Sequence, residues 1–381
     1  MRQSSFEPLQ KIQGVIEHLG SHGEGVFHVD SHIVFVPKSL PGDELIAEIT
    51  AVKSKFIYAK AVQFLKRGPD YQEPLCQHFM HCGGCDFQHL PYSKQLEWKS
   101  TITKHWIHRS ALKPFIKDTS FDLISSPHPF HYRSRVRLQV IDGQPAFHEM
   151  RSHQPVFLKE CPILVNGFFS EIETLCRDVR NEKNLNLLFL DSKLQDTAAY
   201  QLEHKSILIS KDAFSQANLF VNEKMWARIL EDVQSLEKNR FAIDIFCGSG
   251  NFTLGLEDRF EKIIGIERND ISIGLAKRSS SKIEWLNEDA LTGLNEAIHR
   301  HGTPDFVLLD PSREGALEVC RSLAKFKVKK ITYVSCQLDT LIRDIVCLAK
   351  KNNYRVDRWT TVDLIPQTKH IESIVSLTLN D

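Results

Sequence analysis

The sequence predicts an α/β protein in three parts: an OB-like β-barrel over residues 1–66, a central α+β part over 67–210, and a doubly wound, mostly parallel sheet over 211–381. Five short apolar runs separated by glycine-rich turns predict the barrel. Short apolar strands that alternate with helical stretches predict the parallel sheet. Between the two lies a stretch dense in cysteine, histidine and glycine, which indicates a loop held by something other than an apolar core.

The composition excludes several classes of protein. With 381 residues, 42% hydrophobic and 25% charged, the chain has the balance of a globular protein. Its 48 lysines and arginines equal its 48 aspartates and glutamates, which excludes a histone-like polycation. The sequence contains no apolar run of about 18 residues and begins without the apolar core of a signal peptide. We therefore expect a cytoplasmic protein, with no membrane association, whose nine cysteines are thiols or metal ligands.

The elements of the first two parts follow from their local patterns. The barrel runs are KIQGVIEHL, GVFHVD, HIVFVP, ELIAEITAV and FIYAKAVQFL, with a Pro-Gly-Asp turn at 41–43. Amphipathic spacing predicts a helix over 93–117, and strong alternation predicts a strand over 130–140. Further strands and one helix are expected between 155 and 210.

The third part has the clearest rhythm. A helix near 221–237 precedes a strand at 241–246, and further strands are expected at 262–267, 282–289, 305–310 and 329–336. A helix over 338–351 precedes a last strand at 373–380. A chain that ends on a strand suits a sheet into which a late strand is inserted.

A strand that runs directly into a glycine turn, DIFCGSGNF at 244–252, marks a cofactor site, because ligands of open α/β sheets bind at this end of the strands. Carboxylates end the next three strands: Glu267, placed to bind a ribose diol, Asp289, placed to bind an adenine amino group, and Asp310. NAD and S-adenosylmethionine both fit this pattern. The third glycine of the dinucleotide fingerprint is missing, which favours S-adenosylmethionine, a ligand that needs no pyrophosphate cradle.

Cys336 is the candidate nucleophile, because it ends a β-rich run and a helix begins just after it. A helix N-terminus favours thiolate. The other interpretation is a small buried side chain, which we expect for the cysteines within helical patterns. Glu372 lies immediately before the last strand, where a carboxylate can face the same cleft. Arg313, three residues after Asp310, supplies a guanidinium suited to a carbonyl or a phosphate.

The cysteine-rich stretch indicates a metal site. Cys76, Cys82 and Cys85 are spaced as C-x5-C-x2-C with two glycines between the last pair, and Cys161 is a fourth candidate. Zinc and a [4Fe–4S] cluster both accept four cysteines. The three-plus-one arrangement favours the cluster, while the neighbouring histidines at 78 and 81 keep zinc open.

Together these motifs resemble the RNA 5-methyluridine methyltransferases, the uracil-C5 enzymes of ribosomal and transfer RNA. The resemblance covers nearly the whole chain: VFVP followed by LPGD resembles the family's TRAM domain, and CGGC its cluster-binding segment. FSQAN at 214–218, DIFCGSGNF, YVSC at 333–336 and HIE at 370–372 resemble its cofactor, nucleophile and base motifs. The resemblance implies a Rossmann-like class I methyltransferase domain that follows the TRAM barrel and a central domain.

The resemblance also implies roles for individual residues. Cys336 would be the nucleophile and Glu372 the proton acceptor. The positions implied to contact S-adenosylmethionine are Gln216, Phe246, Asn251, Glu267, Asp289 and Asp310. The implied ligands of a [4Fe–4S] cluster are Cys76, Cys82, Cys85 and Cys161. Ser312 and the pair Gln337-Leu338 depart from the family pattern, and neither removes a reacting group. The second departure lies in the loop after the nucleophile, where it bears on rate and substrate geometry.

The charge pattern fits an RNA partner. Between residues 94 and 137, nine lysines and arginines face three acidic residues, and four aromatic residues (98, 106, 130 and 132) interleave with them. The other interpretation is a solvated helix face with core aromatics. A barrel combined with a cysteine cluster resembles the branch that acts on 23S rRNA, with tRNA as the other candidate substrate.

The implied chemistry needs three groups around one ring. Uracil C5 is a poor nucleophile until a thiolate adds to C6, after which C5 attacks a sulfonium methyl group and a base removes the C5 proton. The target base must leave its stack to reach these groups. Two alternatives stay open: a cytosine-C5 RNA methyltransferase, which uses the same addition, and a non-catalytic RNA-binding or assembly protein that keeps the fold.

Overall fold

The computed structural model describes residues 6–352 and 354–380. By its internal contacts the chain forms two compact units. The first comprises Gln144–Pro162, Pro366–Lys369 and the described part of Met1–Trp98. The second comprises Lys99–Gly143, Ile163–Ile365 and the described part of His370–Asp381. Residues 67–210, expected as one central part, are thus shared between the two units, and the three-part division stays a prediction.

The secondary structure alternates short strands and helices along most of the described chain. The strands are β1 (Lys11–Val15), β2 (His18–Leu19), β3 (Gly25–Val29), β4 (His32–Val36), β5 (Glu44–Lys53), β6 (Phe56–Lys66), β7 (Ser120–Ile124), β8 (Arg135–Ile141), β9 (Gln144–His148), β10 (Pro155–Phe157), β11 (Glu182–Leu190), β12 (Lys193–Leu194), β13 (Thr197–Leu202), β14 (Lys205–Ser210), β15 (Phe241–Ile245), β16 (Lys262–Ile266), β17 (Glu284–Leu286), β18 (Phe306–Leu309), β19 (Lys330–Ser335), β20 (Tyr354–Val362) and β21 (Glu372–Leu379). The α-helices are α1 (Tyr92–Arg109), α2 (Phe168–Asp178), α3 (Leu219–Gln234), α4 (Thr253–Leu256), α5 (Asp270–Ser279), α6 (Ala290–His301), α7 (Leu317–Phe326) and α8 (Leu338–Asn352).

The first unit contains a six-stranded sheet in the order β1-β5-β6-β4-β3-β2. Its alternating apolar residues share one core, in which Phe27, Val34 and Leu45 are almost fully buried. The first apolar run, predicted as one strand, forms two, because its backbone changes partner: Ile16 still bonds to Asp43 and Gly42, just before β5, whereas the N–H of Glu17 donates to Val26 on β3. The cysteine-rich stretch of this unit contains little regular structure, as its composition predicts.

The helix predicted over 93–117 ends earlier, at Arg109. Ser110 ends it: the Ser110 hydroxyl donates to the carbonyl of Ile107 and accepts from the backbone N–H of Leu112. Pro114 then continues the chain as a short 3₁₀ turn. In the second unit, the strand predicted over 130–140 corresponds to β8, which pairs antiparallel with β11.

The second unit is built on an eight-stranded sheet in the order β17-β16-β15-β18-β19-β21-β20-β7. Every pairing is parallel except those of β21, which lies antiparallel between β19 and β20. The predicted late insertion of the last strand is therefore confirmed. Two apolar clusters cover the sheet, and its central strands β15, β18 and β19 are buried along their whole length. Within the described residues no helix is long and apolar enough to cross a membrane.

Candidate active site

Four parallel strands of the second unit bring candidate residues to one edge of the sheet. Phe246 follows β15, Glu267 follows β16, Asp310 follows β18 and Cys336 follows β19. Because parallel strands end on the same edge, these residues surround the carboxyl end of the sheet, where α/β proteins bind ligands. Glu372 joins them from the opposite direction, since it is the first residue of the antiparallel strand β21.

Strand register makes Cys336 and Glu372 neighbours. The ladder between β19 and β21 ends with Ser335 opposite Ser373. The next position on each strand is Cys336 on one side and Glu372 on the other. The two residues lie 36 positions apart in sequence, so the antiparallel insertion of β21 is what brings the thiol and the carboxyl together.

Cys336 is half-buried, and its surroundings disfavour the thiolate. Burial raises the pKa of the Cys336 thiol to about 11, and the carboxyls of Glu372 and Asp310 act in the same direction. The guanidinium of Arg313 opposes this increase, both through its charge and through a hydrogen bond to the sulfur. Arg313 is therefore the group at this edge that favours the reactive form of the thiol.

The two carboxyls beside Cys336 hold protons strongly. Glu372 is only 9% exposed, and burial raises its pKa well above the ordinary value, with a further contribution from Asp310 and opposition from Arg313. Burial also raises the pKa of Asp310 to about 7. Buried carboxyls near one another and near a thiol are typical of proton-transfer sites.

The glycine turn after β15 has the conformation that its sequence predicts. Phe246, Gly248 and Gly250 all have positive φ angles, of 68°, 56° and 86°. A Cβ on Gly250 would meet the Trp285 ring at 2.8 Å, so close packing requires that glycine. A Cβ on Gly248 would meet nothing within 4 Å, and this open space beside exposed backbone is a place where a ligand can approach.

The remaining predicted cofactor residues lie around this turn. Glu267 accepts hydrogen bonds from the backbone N–H groups of Gly248 (3.1 Å) and Asn269 (2.8 Å). Asp289 is exposed and caps α6, with its carboxylate accepting from the N–H of Leu291 at 2.9 Å. Asp289 therefore has a structural role as a helix cap, which it fills through Oδ1. Its other carboxylate oxygen accepts no bond from that helix.

Asn251 is fixed by a residue that the sequence reasoning missed. Its side-chain amide exchanges two hydrogen bonds with Asn222 on α3, at 2.8 and 2.9 Å. Asn218 caps the same helix and also donates to the carbonyl of Leu364. Gln216, two residues earlier, is buried. The FSQAN motif contains Gln216 and Asn218, whereas Asn222 lies one helical turn beyond the motif. Only the spacing of residues on a helix face could have indicated Asn222.

The four cysteines of the predicted metal site all lie in the first unit. Cys82 and Cys85 are buried, and Cys76 and Cys161 are half-buried. Burial raises the pKa of Cys85, and the three other thiols raise it further. Gly84 N–H lies 3.4 Å from the sulfur of Cys82. Across residues 6–352 and 354–380, no group of three or more histidine, cysteine, aspartate or glutamate side chains is arranged closely enough to hold a metal ion.

The basic stretch between 94 and 137 is only partly available to a partner. Lys99 is fully buried and pairs with Asp363 at 2.5 Å, and Arg135 is held by backbone carbonyls that include Ala213. Tyr132 is fully buried and Trp106 packs on the main core. The interpretation as core aromatics is therefore correct for Tyr132 and Trp106, while Lys99 and Arg135 are bonded within the protein and do not form a solvated face.

Comparisons with known proteins identify the family. A family profile described as tRNA (Uracil-5-)-methyltransferase matches residues 180–380, and one described as TRAM domain matches residues 15–62. An uncharacterized RNA methyltransferase of Bdellovibrio bacteriovorus is 31% identical over 96% of this chain and 95% of its own length. A 23S rRNA (uracil(1939)-C(5))-methyltransferase of Shewanella amazonensis is 28% identical over 96% of this chain and 95% of its own.

The names of two further relatives state that they act on transfer RNA. A tRNA (uracil(54)-C(5))-methyltransferase of Schizosaccharomyces pombe is 28% identical over 98% of this chain and 79% of its own length. The crystal structure of Pyrococcus abyssi tRNA (uracil-54, C5)-methyltransferase in complex with S-adenosyl-L-homocysteine has a TM-score of 0.72 and 22% identity, and covers 96% of this chain and 100% of its own. These matches confirm the predicted α/β fold, the TRAM domain and the prediction of an RNA uracil-C5 methyltransferase. The chain belongs to the tRNA (uracil-5-)-methyltransferase family.

Proposed function

We propose that this protein transfers the methyl group of S-adenosylmethionine to C5 of uracil in RNA, with Cys336 as the nucleophile and Glu372 as the base. The register of β19 and β21 carries the proposal, because it makes this thiol and this carboxyl neighbours at the edge that holds the glycine turn. The test is incubation of purified protein with unmodified RNA and the methyl donor, followed by nucleoside analysis. 5-Methyluridine is expected, 5-methylcytidine would favour the cytosine alternative, and no product would favour the non-catalytic one.

The proposed reaction starts with the thiolate of Cys336, which bonds to C6 of uracil while the C5–C6 π electrons move toward C5 and O4. The methyl donor supplies an electrophilic methyl group when bound. C5 bonds to this methyl group as the bond between the methyl carbon and the donor's sulfur breaks and leaves its electron pair on sulfur, and Glu372 then removes the C5 proton. The C6–sulfur bond breaks, its electrons return to Cys336, and the C5–C6 double bond is restored. One proton is released for each methyl group transferred. Glu372 accepts the C5 proton only in its ionised form, so, with its raised pKa, it must lose a proton before each transfer.

Arg313 has two roles in this proposal. Its hydrogen bond to Cys336 favours the thiolate before addition. A guanidinium carries five N–H donors, so the same side chain has others with which to stabilise the negative charge that develops on uracil O4.

The raised pKa of Cys336 predicts that its thiol is alkylated slowly near neutral pH and that the rate depends on pH. Because the pKa is about 11, the thiolate fraction, and with it the rate of alkylation by iodoacetamide, should rise about tenfold per pH unit from pH 7 to 9. Arg313→Gln should raise the pKa and slow alkylation, while Arg313→Lys should retain part of the effect. Peptide mass mapping separates Cys336 from half-buried Cys347, the internal control. A pH-independent rate at Cys336 would contradict this assignment.

The open space at Gly248 predicts the cost of adding a side chain there. Gly248→Ala should destabilise the fold by about 1–2 kcal/mol through its positive φ. It should also weaken binding of S-adenosylhomocysteine by about ten- to a hundredfold. Forcing a methyl group into space that the bound ligand fills costs about 1–3 kcal/mol. Calorimetric titration measures the affinity. Gly274→Ala on α5, where a Cβ also meets nothing within 4 Å, is the matched control and should leave affinity unchanged. Equal affinities in both variants would remove Gly248 from the site.

We further propose that Cys76, Cys82, Cys85 and Cys161 hold a [4Fe–4S] cluster. The support is the nearness of the other three thiols to Cys85, whose pKa they raise, together with donors to sulfur: Gly84 N–H to Cys82, and the side-chain amide of Gln88 to Cys85 at 3.3 Å. A zinc site that uses Nε2 of His78 is the weaker candidate, because this nitrogen already accepts from the backbone N–H of Lys159. A cluster bound there would cross-link the cysteine-rich loop.

Metal analysis tests this second proposal. Anaerobically purified protein should contain iron and acid-labile sulfide, with visible absorbance, and Cys85→Ala should lose all three and unfold at a lower temperature. Cys176→Ala, at a buried cysteine on α2, is the control for loss of a buried thiol and should keep the iron. Stoichiometric zinc without iron would overturn the cluster in favour of zinc.

The RNA substrate and the location of the protein stay proposals. Two of the relatives described above differ in the RNA that their names state, and the TRAM domain with its adjoining cysteine motif favours 23S rRNA over tRNA. Mapping of 5-methyluridine in ribosomal and transfer RNA, with and without the gene, distinguishes the two substrates. The cytoplasmic location and the division into three domains are likewise proposals that come from the sequence.

A further inference from the structure

A cavity of about 1040 Å³ lies in the second unit at the sheet edge opposite the candidate active site. Its lining includes Asp305, just before β18, and Lys329 and Lys330 at the start of β19, so it faces the amino ends of the parallel strands. Five residues of β15 span about 17 Å, which sets the minimum separation between this cavity and the glycine turn.

The cavity is lined by an excess of positive charge. Four exposed lysines belong to it: Lys238, Lys327, Lys329 and Lys350. In the part of the chain that the structure describes, none of the four forms an ion pair with a carboxylate. Like charges gathered around one concave surface raise the local concentration of anions.

Two carboxylates at the cavity, Asp305 of the lining and Asp357, which pairs with lining residues, are already engaged. Asp305 accepts hydrogen bonds from the backbone N–H groups of Arg240 and Phe241 and pairs with the Arg240 guanidinium. Asp357 pairs with Lys330 at 2.8 Å and with Arg355 at 2.6 Å. The internal bonds therefore hold both carboxylates away from the four lysines, and Glu237 is the remaining acidic residue of the lining.

Helix dipoles do not account for all of these lysines. Helices α3, α7 and α8 end at this edge, and a lysine in the last turn complements the negative end of a helix, as Lys350 does on α8. The effect falls off within the last turn. Lys238 lies four residues beyond the end of α3 and Lys329 three beyond the end of α7, so their placement needs another explanation.

We propose that this lysine-lined cavity, defined by Lys238, Lys327, Lys329 and Lys350, binds backbone phosphates of the RNA substrate at a distance from the target uridine. The inference rests on the proposed function for the identity of its ligand. Contacts to phosphates carry no sequence information, so these lysines would add affinity and not sequence preference. They would favour RNA long enough to pass from the active-site edge to the opposite edge.

The test compares two triple variants of the full chain. Lys238→Gln/Lys329→Gln/Lys350→Gln removes three charges from the cavity, and Lys277→Gln/Arg278→Gln/Lys282→Gln removes three exposed charges near β17, at the far end of the sheet. Affinity for a long rRNA fragment is measured across a salt series. The cavity variant should bind at least about tenfold more weakly, with a salt slope reduced by about 2, because each lost phosphate contact removes about 0.7–0.9 from it. The corresponding Lys→Arg triple variant should bind as the native protein does.

A short hairpin that presents only the target uridine and its neighbours separates this inference from the proposed function. The cavity variant should methylate the hairpin at the native rate. A native protein that methylates no RNA would refute the proposed function, while the salt series would still report on the cavity. Equal slopes for the two triple variants, or an equal loss on the hairpin and the long RNA, would overturn the phosphate site. Inhibition by inorganic polyphosphate with no change in RNA binding would assign the lysines to a free polyanion instead.

Discussion

Cys336→Ala is expected to reduce methyl transfer to uridine by at least about 10⁴-fold while the protein still binds RNA and S-adenosylhomocysteine. Without the sulfur, C6 has no nucleophile to attack it, and C5 keeps its poor reactivity. The substitution removes one half-buried sulfur after the end of β19 and leaves the buried strand itself intact, so the fold should survive. Single-turnover methylation, measured with labelled methyl donor, gives the size of the effect.

The control for this prediction is Cys347→Ala, which removes a thiol of similar burial from the helix that follows Cys336. This control should methylate at the native rate. A Cys336→Ala protein that retained more than a small fraction of native activity would exclude the covalent route. A loss of cofactor binding in the same variant would instead show that Cys336 has a structural role at the glycine turn.

The sequence predicts the fold of the second unit well because its signals are local. An apolar strand, a glycine turn and a helix are each encoded within about ten residues, and the parallel order follows from their alternation. The positions of Phe246, Glu267 and Asp310 at strand ends could therefore be predicted before any coordinates. The first unit is less predictable, because its first apolar run splits where the backbone changes partner, from Asp43 at Ile16 to Val26 at Glu17.

The pairing of Cys336 with Glu372 depends on information that is not local. Sequence position places both residues at strand ends, but only the register between β19 and β21 makes them neighbours. The role of Arg313 at the sulfur, and the amide pair of Asn222 with Asn251, likewise depend on tertiary packing. In the basic stretch, the sequence overstates what is available to a partner. A count of charges includes Lys99, which the fold buries in an ion pair.

Glu372→Gln is expected to reduce turnover by about 10²–10⁴-fold and to trap protein on RNA. Glutamine has nearly the same shape but cannot accept the C5 proton. Addition and methyl transfer should therefore proceed, and the adduct between Cys336 and methylated uracil should accumulate because the C6–sulfur bond cannot break. A band of protein joined to RNA on a denaturing gel, carrying one labelled methyl group, is the expected result. The double variant Cys336→Ala/Glu372→Gln should give no such band.

Stability against pH gives an independent measure of the same carboxyl. The pKa of Glu372 is raised in the fold, so between its ordinary value and its raised value the folded state keeps a proton that the unfolded state loses. The native free energy of unfolding should therefore fall as pH rises through this window. Glu372→Gln should make that fall smaller, although Asp310, with a pKa of about 7, still contributes. If Glu372→Gln keeps its free energy of unfolding but forms neither product nor adduct, Glu372 is excluded as the base. Its role would then be earlier, in the addition step.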